Sequence, residues 1–498
     1  MDKRGKVCYN PFSKLALAEK GETIMNYRHK YHLMADEGWI NDPNGFIYFN
    51  GYYHCFYQHS KAPDGASPRL WGHARSKDLV KWETLPVALV PDKPYDKNGC
   101  WSGGAIVKDG VLWLVYTGQV NTGGDPSWDQ TINLAYSTDG VTFIKPDYNP
   151  VISRKNMPEG TSTRDFRDPY VFERDGEIFV MVGTTHGIVP NGTALVQLYK
   201  TKNLVDFSFV GEVIRGKEYS AMCECPSYVW GIDGKDILFV SCVSLPPQEF
   251  SFYNYNSSVA LIGKLDYDTG AFTHSGMNEV DFGLDFYAPQ TTVGGDGTNV
   301  MIAWMNMWNR DYPTASQGWT GAMILPRETY LVDGMLAMKP ISAIANYYQN
   351  ELTFDKTVTG VTQIDGVQGN VLHVKISVDM QNANVFSVRF FADETLYTKF
   401  EYDKRTGVIT CDRSKNEIFV RSRINEKSGN GVRRMRYLGN PEKLEAEFFL
   451  DVSSVEAFFG DGRNVMSTLT YNGERKGVYF ETDGKVRITG VKHDIVVK

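Results

Sequence analysis

A glycine-centred hairpin signal recurs five times in the first two-thirds of the chain at nearly constant spacing. Gly51, Gly110, Gly176, Gly234 and Gly297 lie 59, 66, 58 and 63 residues apart, and each follows Asn or Asp. Such a pair between apolar runs is the strongest short-range signal for a two-residue hairpin, because both residues accept a positive φ. The five segments share a layout: NDPNGFIYFNGYYHCFYQH from Asn41, WSGGAIVKDGVLWLVYTG from Trp101, RDPYVFERDGEIFVMVGT from Arg167, ECPSYVWGIDGKDILFVSC from Glu224 and YAPQTTVGGDGTNVMIAWM from Tyr287. A second hairpin signal follows in four of the five, in WGHARSKDLVKW, NLAYSTDGVTF, VQLYKTKNLVDF and IGKLDYDTGAF, which close on Trp82, Phe143, Phe207 and Phe272. Two hairpins per unit make a four-stranded blade, and five units predict a five-bladed β-propeller over residues 26–340. A pair of β-sandwiches is the alternative, but it gives a turn glycine no reason to keep its spacing.

Beyond the repeat the rhythm changes. Residues 341–352 read as a linker, with a short helix over 341–348. From 353 to 498, segments such as VLHVKISVDM, VFSVRFFAD, KFEYDK and GVITCD alternate like half-buried strands, and this region reads as a β-sandwich. The fold class is therefore all-β, a propeller followed by a sandwich, with residues 1–25 as an N-terminal extension.

Composition excludes several functions. The net charge of −7 comes with no basic run, which argues against a nucleic-acid partner. No apolar stretch approaches the length of a membrane span, and residues 1–22 hold only a short apolar patch at 15–18, too little for a secretory signal. Seven scattered cysteines, an odd number in a long chain, read as free thiols in a reducing compartment, so the expected location is the cytoplasm. The sequons at Asn191 and Asn256 are then incidental. Aromatic content of 13% suits strands and also suits sugar binding, where flat rings face C–H surfaces.

The innermost strands of a propeller ring its axis, so equivalent repeat positions converge. The starts of the five inner strands carry Asn41-Asp42, Trp101-Ser102, Arg167-Asp168, Glu224 and Tyr287, with Asp285 just before the last. Three repeats thus place a carboxylate at what reads as one structural position, and Asp42, Asp168 and Glu224 are expected to meet. A metal site, strand-end caps and acid/base chemistry are the three explanations for such a group. Calcium wants a dense oxygen cage from one loop, zinc wants His or Cys at ligand spacing, and neither pattern occurs. Strand-end capping stays open beside acid/base chemistry, and three acids in register favour the chemistry, with no metal and no cofactor expected.

WINDPNG (39–45), FRDP (166–169) and ECP (224–226) resemble, in order and spacing, the three motifs of the family 32 glycoside hydrolases. YQ at 57–58, WGHARSKDLVKW at 71–82, WSG at 101–103, DFYAPQ at 285–290, LPRE at 325–328 and LDVSSVEAFF at 450–459 extend the resemblance to nearly the whole chain. It implies a retaining β-fructofuranosidase acting on sucrose or a related fructoside, with Asp42 as nucleophile, Asp168 as transition-state stabiliser and Glu224 as acid/base. By the same resemblance Asn41, Gln58, Trp71, Trp101, Ser102, Arg167, Asp285 and Trp308 bind the substrate. The chemistry fits an oxocarbenium-like transition state: one carboxylate attacks, one carboxylic acid protonates the leaving oxygen, and an ionised Asp168 strengthens its hold as charge develops. Glu224 must then hold a proton, which calls for burial or neighbouring negative charge. Transfer of fructose to another sugar and exo-cleavage of fructans stay open on the same site; an arabinoside-cutting propeller and an inactive sugar-binding one are weaker alternatives.

Two positions depart from the family pattern. Ala66 stands where many relatives carry Trp, which predicts a wider entrance, and Cys223 and Ser227 stand where relatives often read WECPD. Lys61 and Arg69 on the same loop as Ala66 could receive an anionic group, although solvated loop charges are the plainer reading.

Overall fold

The computed structural model describes residues 25–424 and 431–498. Apart from residue 25, the N-terminal extension lies outside the described residues. Blade one is built from strands Gly38–Phe49, Tyr52–Ser60, Leu70–Ser76 and Trp82–Leu89. Blade two has Gly99–Lys108, Val111–Asn121 and Trp128–Ser137. Blade three has Thr161–Arg174, Glu177–His186, Thr193–Thr201 and Ser208–Gly216. Blade four has Cys223–Ile232, Lys235–Val243, Asn256–Leu265 and Phe272–Glu279. Blade five has Tyr287–Val293, Asn299–Trp304, Arg327–Val332 and Met335–Pro340. The first hairpin of every blade turns on its expected glycine, at φ between 75° and 84°.

Blade two departs from the repeat. Its fourth strand shrinks to one bridge between Tyr136 and Ile144. Pro146, two residues on, has no N–H to continue a ladder. Blade five supplies the outer hairpin missing from the repeat reading, turning on Asp333-Gly334, after an excursion from which Trp319–Thr320 pairs in parallel with Gly38 and Trp39 of blade one. That pairing closes the ring.

The outer hairpins of the first three blades share a side-chain cap. The Ser76 hydroxyl accepts from Leu79 N–H while Asp78 accepts from Val80 and Lys81. Ser137 with Asp139, and Thr201 with Asn203, repeat this in blades two and three. Local hydroxyl and carboxylate bonds of this kind hold a turn without help from the core. Middle strands such as Glu177–His186 are buried on both faces, because each blade packs between two others.

The linker forms a short 3₁₀ helix, Ser342–Tyr347. The next strand, Tyr348–Thr362, begins before the expected boundary because it pairs along Gly477–Ile495 from its first residue. That 19-residue strand also pairs with Val371–Asp379 and Val385–Ala392 and so joins the two layers of the sandwich. Phe386, Phe390, Phe400, Phe448, Phe459 and Phe480 lie in the core between them.

Candidate active site

Each of the five inner strands carries a β-bulge near its start. Pairing slips by one residue between Ile40 and Pro43, Trp101 and Gly103, Arg167 and Tyr170, Glu224 and Ser227, and Tyr287 and Gln290. An extra residue bends the strand and re-aims side chains, and here it turns them to the axis. Four bulges hold a proline, in Asp42-Pro43, Asp168-Pro169, Cys225-Pro226 and Ala288-Pro289, and the fifth reads Ser102-Gly103. Asp168, Cys225 and Ala288 take φ of 61°, 46° and 53°, a left-handed geometry that costs non-glycine residues energy and recurs at functional sites.

Aligned on these dipeptides, the site has two rings. Asp42, Ser102, Asp168, Cys225 and Ala288 form one; Asn41, Trp101, Arg167, Glu224 and Tyr287 form the other. This corrects the expectation that all three acids share one repeat position. Asp42 and Asp168 do, whereas Glu224 stands one residue earlier, and a one-residue offset on a strand changes the direction of the side chain.

In the first ring the Ser102 hydroxyl donates to Asp42 Oδ2 at 2.9 Å, and Asp42 Oδ1 meets no donor among the described residues. The Cys225 thiol lies 3.7 Å from Asp42 Oδ2 and 3.6 Å from Asp168 Oδ2, and the Cys225 amide donates to Asp168 at 3.1 Å. Thr117 accepts from the Asp168 amide. In the second ring Arg167 Nη2 donates to Glu224 Oε1 at 2.7 Å, and the Tyr287 hydroxyl donates to Glu224 Oε2 at 2.5 Å. Arg167 also lies over the Trp101 ring and binds Asp165.

Burial raises Asp42 above the ordinary carboxylate range, the charge of Glu224 adds to this, and Asn41 and Ser102 oppose it. Burial likewise pushes Asp168 up to about 7 against the pull of Arg167, with Glu224 and Asp42 adding to the rise. Asp168 is therefore less firmly ionised than its arginine neighbour suggested, because desolvation outweighs that one cation. Three acids this close cannot all be charged cheaply, so the group holds a proton near neutrality.

The expected binding residues divide. Asn41 Oδ1 accepts from the indole of Trp39, Gln58 donates to the Cys100 carbonyl, and both are buried. Trp308 is half-buried and joins Trp39 and Trp304 in an aromatic cluster, with ring centres 6.1 and 4.9 Å away. Trp71 is a correction: it is 0% exposed in the core between blades one and two, where its N–H supports the Trp101 carbonyl. Asp285 is another. It is also 0% exposed and is saturated by Arg310, Arg413, Tyr312 and the Leu469 amide, so it ties the propeller to the sandwich and has no oxygen left for a sugar.

Tyr287, Cys225 and Trp39 were missed as site residues, although each sits in a repeat start or a quoted motif. Ser227 is buried and bonds Thr291, away from the acids. Arg69 is half-buried and not a solvated charge: Nη1 donates to Gly65 O, and a side chain at Gly65 would meet both this guanidinium and Trp39. Lys61 and Ala66 are exposed.

Residues 32–340 match the N-terminal domain of glycosyl hydrolases family 32, and residues 343–495 match its C-terminal domain. A sucrose-6-phosphate hydrolase of Zymomonas mobilis is 33% identical over 86% of this chain and 83% of its own. A raffinose invertase of Escherichia coli is 33% identical over 95% and 94%. Among solved structures, a Bombyx mori family 32 β-fructofuranosidase superposes with a TM-score of 0.80 at 30% identity, covering 95% of each chain. Two domain matches that together span nearly all of the chain, and a fold shared end to end, make this protein a member of glycosyl hydrolase family 32.

Proposed function

We propose that this family 32 hydrolase is a β-fructofuranosidase that cleaves sucrose with net retention, through a fructosyl-enzyme on Asp42. Asp42 attacks the anomeric carbon while Glu224 gives its proton to the departing glycosidic oxygen. Glu224 then takes a proton from water, whose oxygen replaces Asp42 and frees fructose. Asp168 holds the sugar as positive charge develops. The observation that carries this reading is the pairing in the first ring. Asp42 is fixed through one oxygen by Ser102 and keeps the other for attack. Glu224 stands one residue earlier on its strand, where its two oxygens accept from the Arg167 guanidinium and the Tyr287 hydroxyl, which fix the orientation of its carboxyl group.

Asp42→Asn and Glu224→Gln should each lower kcat by about 10³-fold or more with the fold intact. Methanolysis should give the β-anomer of methyl fructofuranoside; the α-anomer would mean inversion. A properly folded variant keeping a tenth of the activity would sink the role assigned to it.

A second reading, for sucrose phosphorylated on its glucose, rests on Arg69. Its guanidinium is held beside Trp39 and within the electrostatic reach of Asp42, on the loop already noted for anion capture. Relatives named sucrose-6-phosphate hydrolases agree with it. Arg69→Ala should raise KM for the phosphorylated sugar about ten-fold or more and leave sucrose nearly unchanged. Equal effects on both would remove this reading.

The cytoplasm is the proposed compartment. The six described cysteines are all buried with no bonded pair among them, and no described helix is long and apolar enough to cross a membrane.

A further inference from the structure

Cys223 and Cys242 face each other directly across the inner pair of strands in blade four, and the next rung is Glu224 opposite Ser241. Their sulfurs are 3.7 Å apart, and both side chains are fully buried. Val243 N–H donates to the Met222 carbonyl, so the rung below is a hydrogen-bonded one and the cysteines occupy a non-hydrogen-bonded rung. There the α-carbons of an antiparallel pair lie about 4.5 Å apart. This falls within the range of about 4.4–6.8 Å that a disulfide spans, so a bridge can form between these two residues.

We propose that Cys223 and Cys242 are a reversible dithiol–disulfide switch whose closure shifts the strand carrying Glu224 and slows hydrolysis. To bond, the sulfurs must close from 3.7 Å to about 2.05 Å. The neighbouring rung has little freedom to absorb that movement, because Glu224 is held by Arg167 and Tyr287, and Tyr287 also approaches the Ser241 carbonyl. A displaced acid loses its alignment with the leaving oxygen, and a 1 Å misplacement can cost about 10²-fold in rate. A reversible bridge also suits a reducing compartment, where protein disulfides are usually transient.

Hydrogen peroxide is a two-electron oxidant of the class that converts a dithiol to a disulfide. One thiolate attacks a peroxide oxygen and becomes a sulfenic acid, with one water released. The second sulfur then displaces the sulfenic hydroxyl, releasing another water and leaving the disulfide. Two thiols and one peroxide give one disulfide and two waters. Cys223 bonds Cys242 and is buried, both of which push its thiol well above the ordinary range, so the reaction should answer to sustained exposure more than to a brief pulse.

The test treats the full-length enzyme with peroxide and reads peptide masses without reduction alongside kcat on sucrose. The expected result is a Cys223–Cys242 linked peptide whose yield tracks a loss of about ten-fold in kcat, reversed by dithiothreitol and absent from Cys242→Ala. Cys225→Ala should not prevent the linkage. Absence of the linked peptide, linkage at full kcat, or an equal reversible loss in Cys242→Ala overturns the proposal. Should Cys242→Ala not fold, the linked peptide and its reversal in the wild-type chain still decide. The effect on rate rests on the role proposed for Glu224. Failure of that role would appear in Glu224→Gln, whereas the linkage is read by mass alone.

Discussion

Ser102 favours the ionised form of a carboxylate on the neighbouring blade. Its hydroxyl donates to Asp42 Oδ2, which partly offsets burial. Asp42 must be ionised to attack, and its folded value is raised, so kcat/KM should fall as pH drops through a point above the ordinary 3.8. Ser102→Ala removes a stabiliser of the anion and should move that acid limb up, leaving the alkaline limb in place. A pH profile of kcat/KM reads this directly, and a downward or absent shift would count against Asp42 as the ionised group. The acids themselves were legible in the sequence because the repeat set them in register. The offset of Glu224 is legible there too once the strands are aligned on their prolines, since Asp42 and Asp168 directly precede one and Glu224 stands two residues before Pro226. A sequence does not show whether an indole or a carboxylate in a family motif faces the sugar or the core. Trp71 and Asp285 both face inward. Asp285→Asn should therefore cost about 3–5 kcal/mol of stability, because two buried guanidinium groups lose their shared carboxylate, while KM changes little. Denaturant unfolding with parallel kinetics checks this, and a raised KM at unchanged stability would restore Asp285 to the pocket.

At the scale of elements, what was readable from the sequence follows how local each determinant is. The five Asn-Gly and Asp-Gly turns are set by two residues each, and all five form as expected. The outer hairpin of blade five turns on its own Asp-Gly pair, Asp333-Gly334, but escapes the repeat because 22 residues separate its first strand, Arg327–Val332, from the end of Asn299–Trp304. That inserted stretch is what closes the ring. Trp319 and Thr320 pair with Gly38 and Trp39, and the Trp39 ring packs on Trp304 and Trp308. Gly38 allows this only because it lacks a side chain: its φ is 78°, and a Cβ would lie 2.2 Å from the Ser60 carbonyl. Gly38→Ala should destabilise the protein by about 2–4 kcal/mol and raise KM, as Trp39 moves off the aromatic cluster. A Tm within a degree or two of the parent would show that the closure tolerates a side chain.

The whole molecule is joined by a buried charged web that explains the LDVSSVEAFF motif of the sandwich. Asp451 accepts from the amides of Lys30 and Tyr31, and Glu456 binds Arg327, which in turn binds Asp281 of the propeller. His32 stands between the two, with Nδ1 2.8 Å from Asp451 and Nε2 2.8 Å from Glu456. Both nitrogens meet carboxylates, so the ring is an imidazolium, and its two partners raise it to about 9 against burial. His29, packed nearby with Met34 and Ser453, is driven by burial down to about 3 and stays neutral. The two histidines act in opposite pH windows. Below about 6.5 the unfolded chain binds a proton that His29 refuses when folded, so stability falls toward pH 3. Above about 6.5 the folded chain keeps a proton on His32 that the unfolded chain has lost, so stability falls as pH rises through 9. The His32 contribution of about 3 kcal/mol should therefore be lost between pH 6.5 and 9.5. His32→Gln should be less stable at pH 6.5 and lose about 3 kcal/mol less than the parent over the same interval. Urea midpoints at several pH values measure both slopes, and an equal alkaline slope in the variant would show that another group carries the effect.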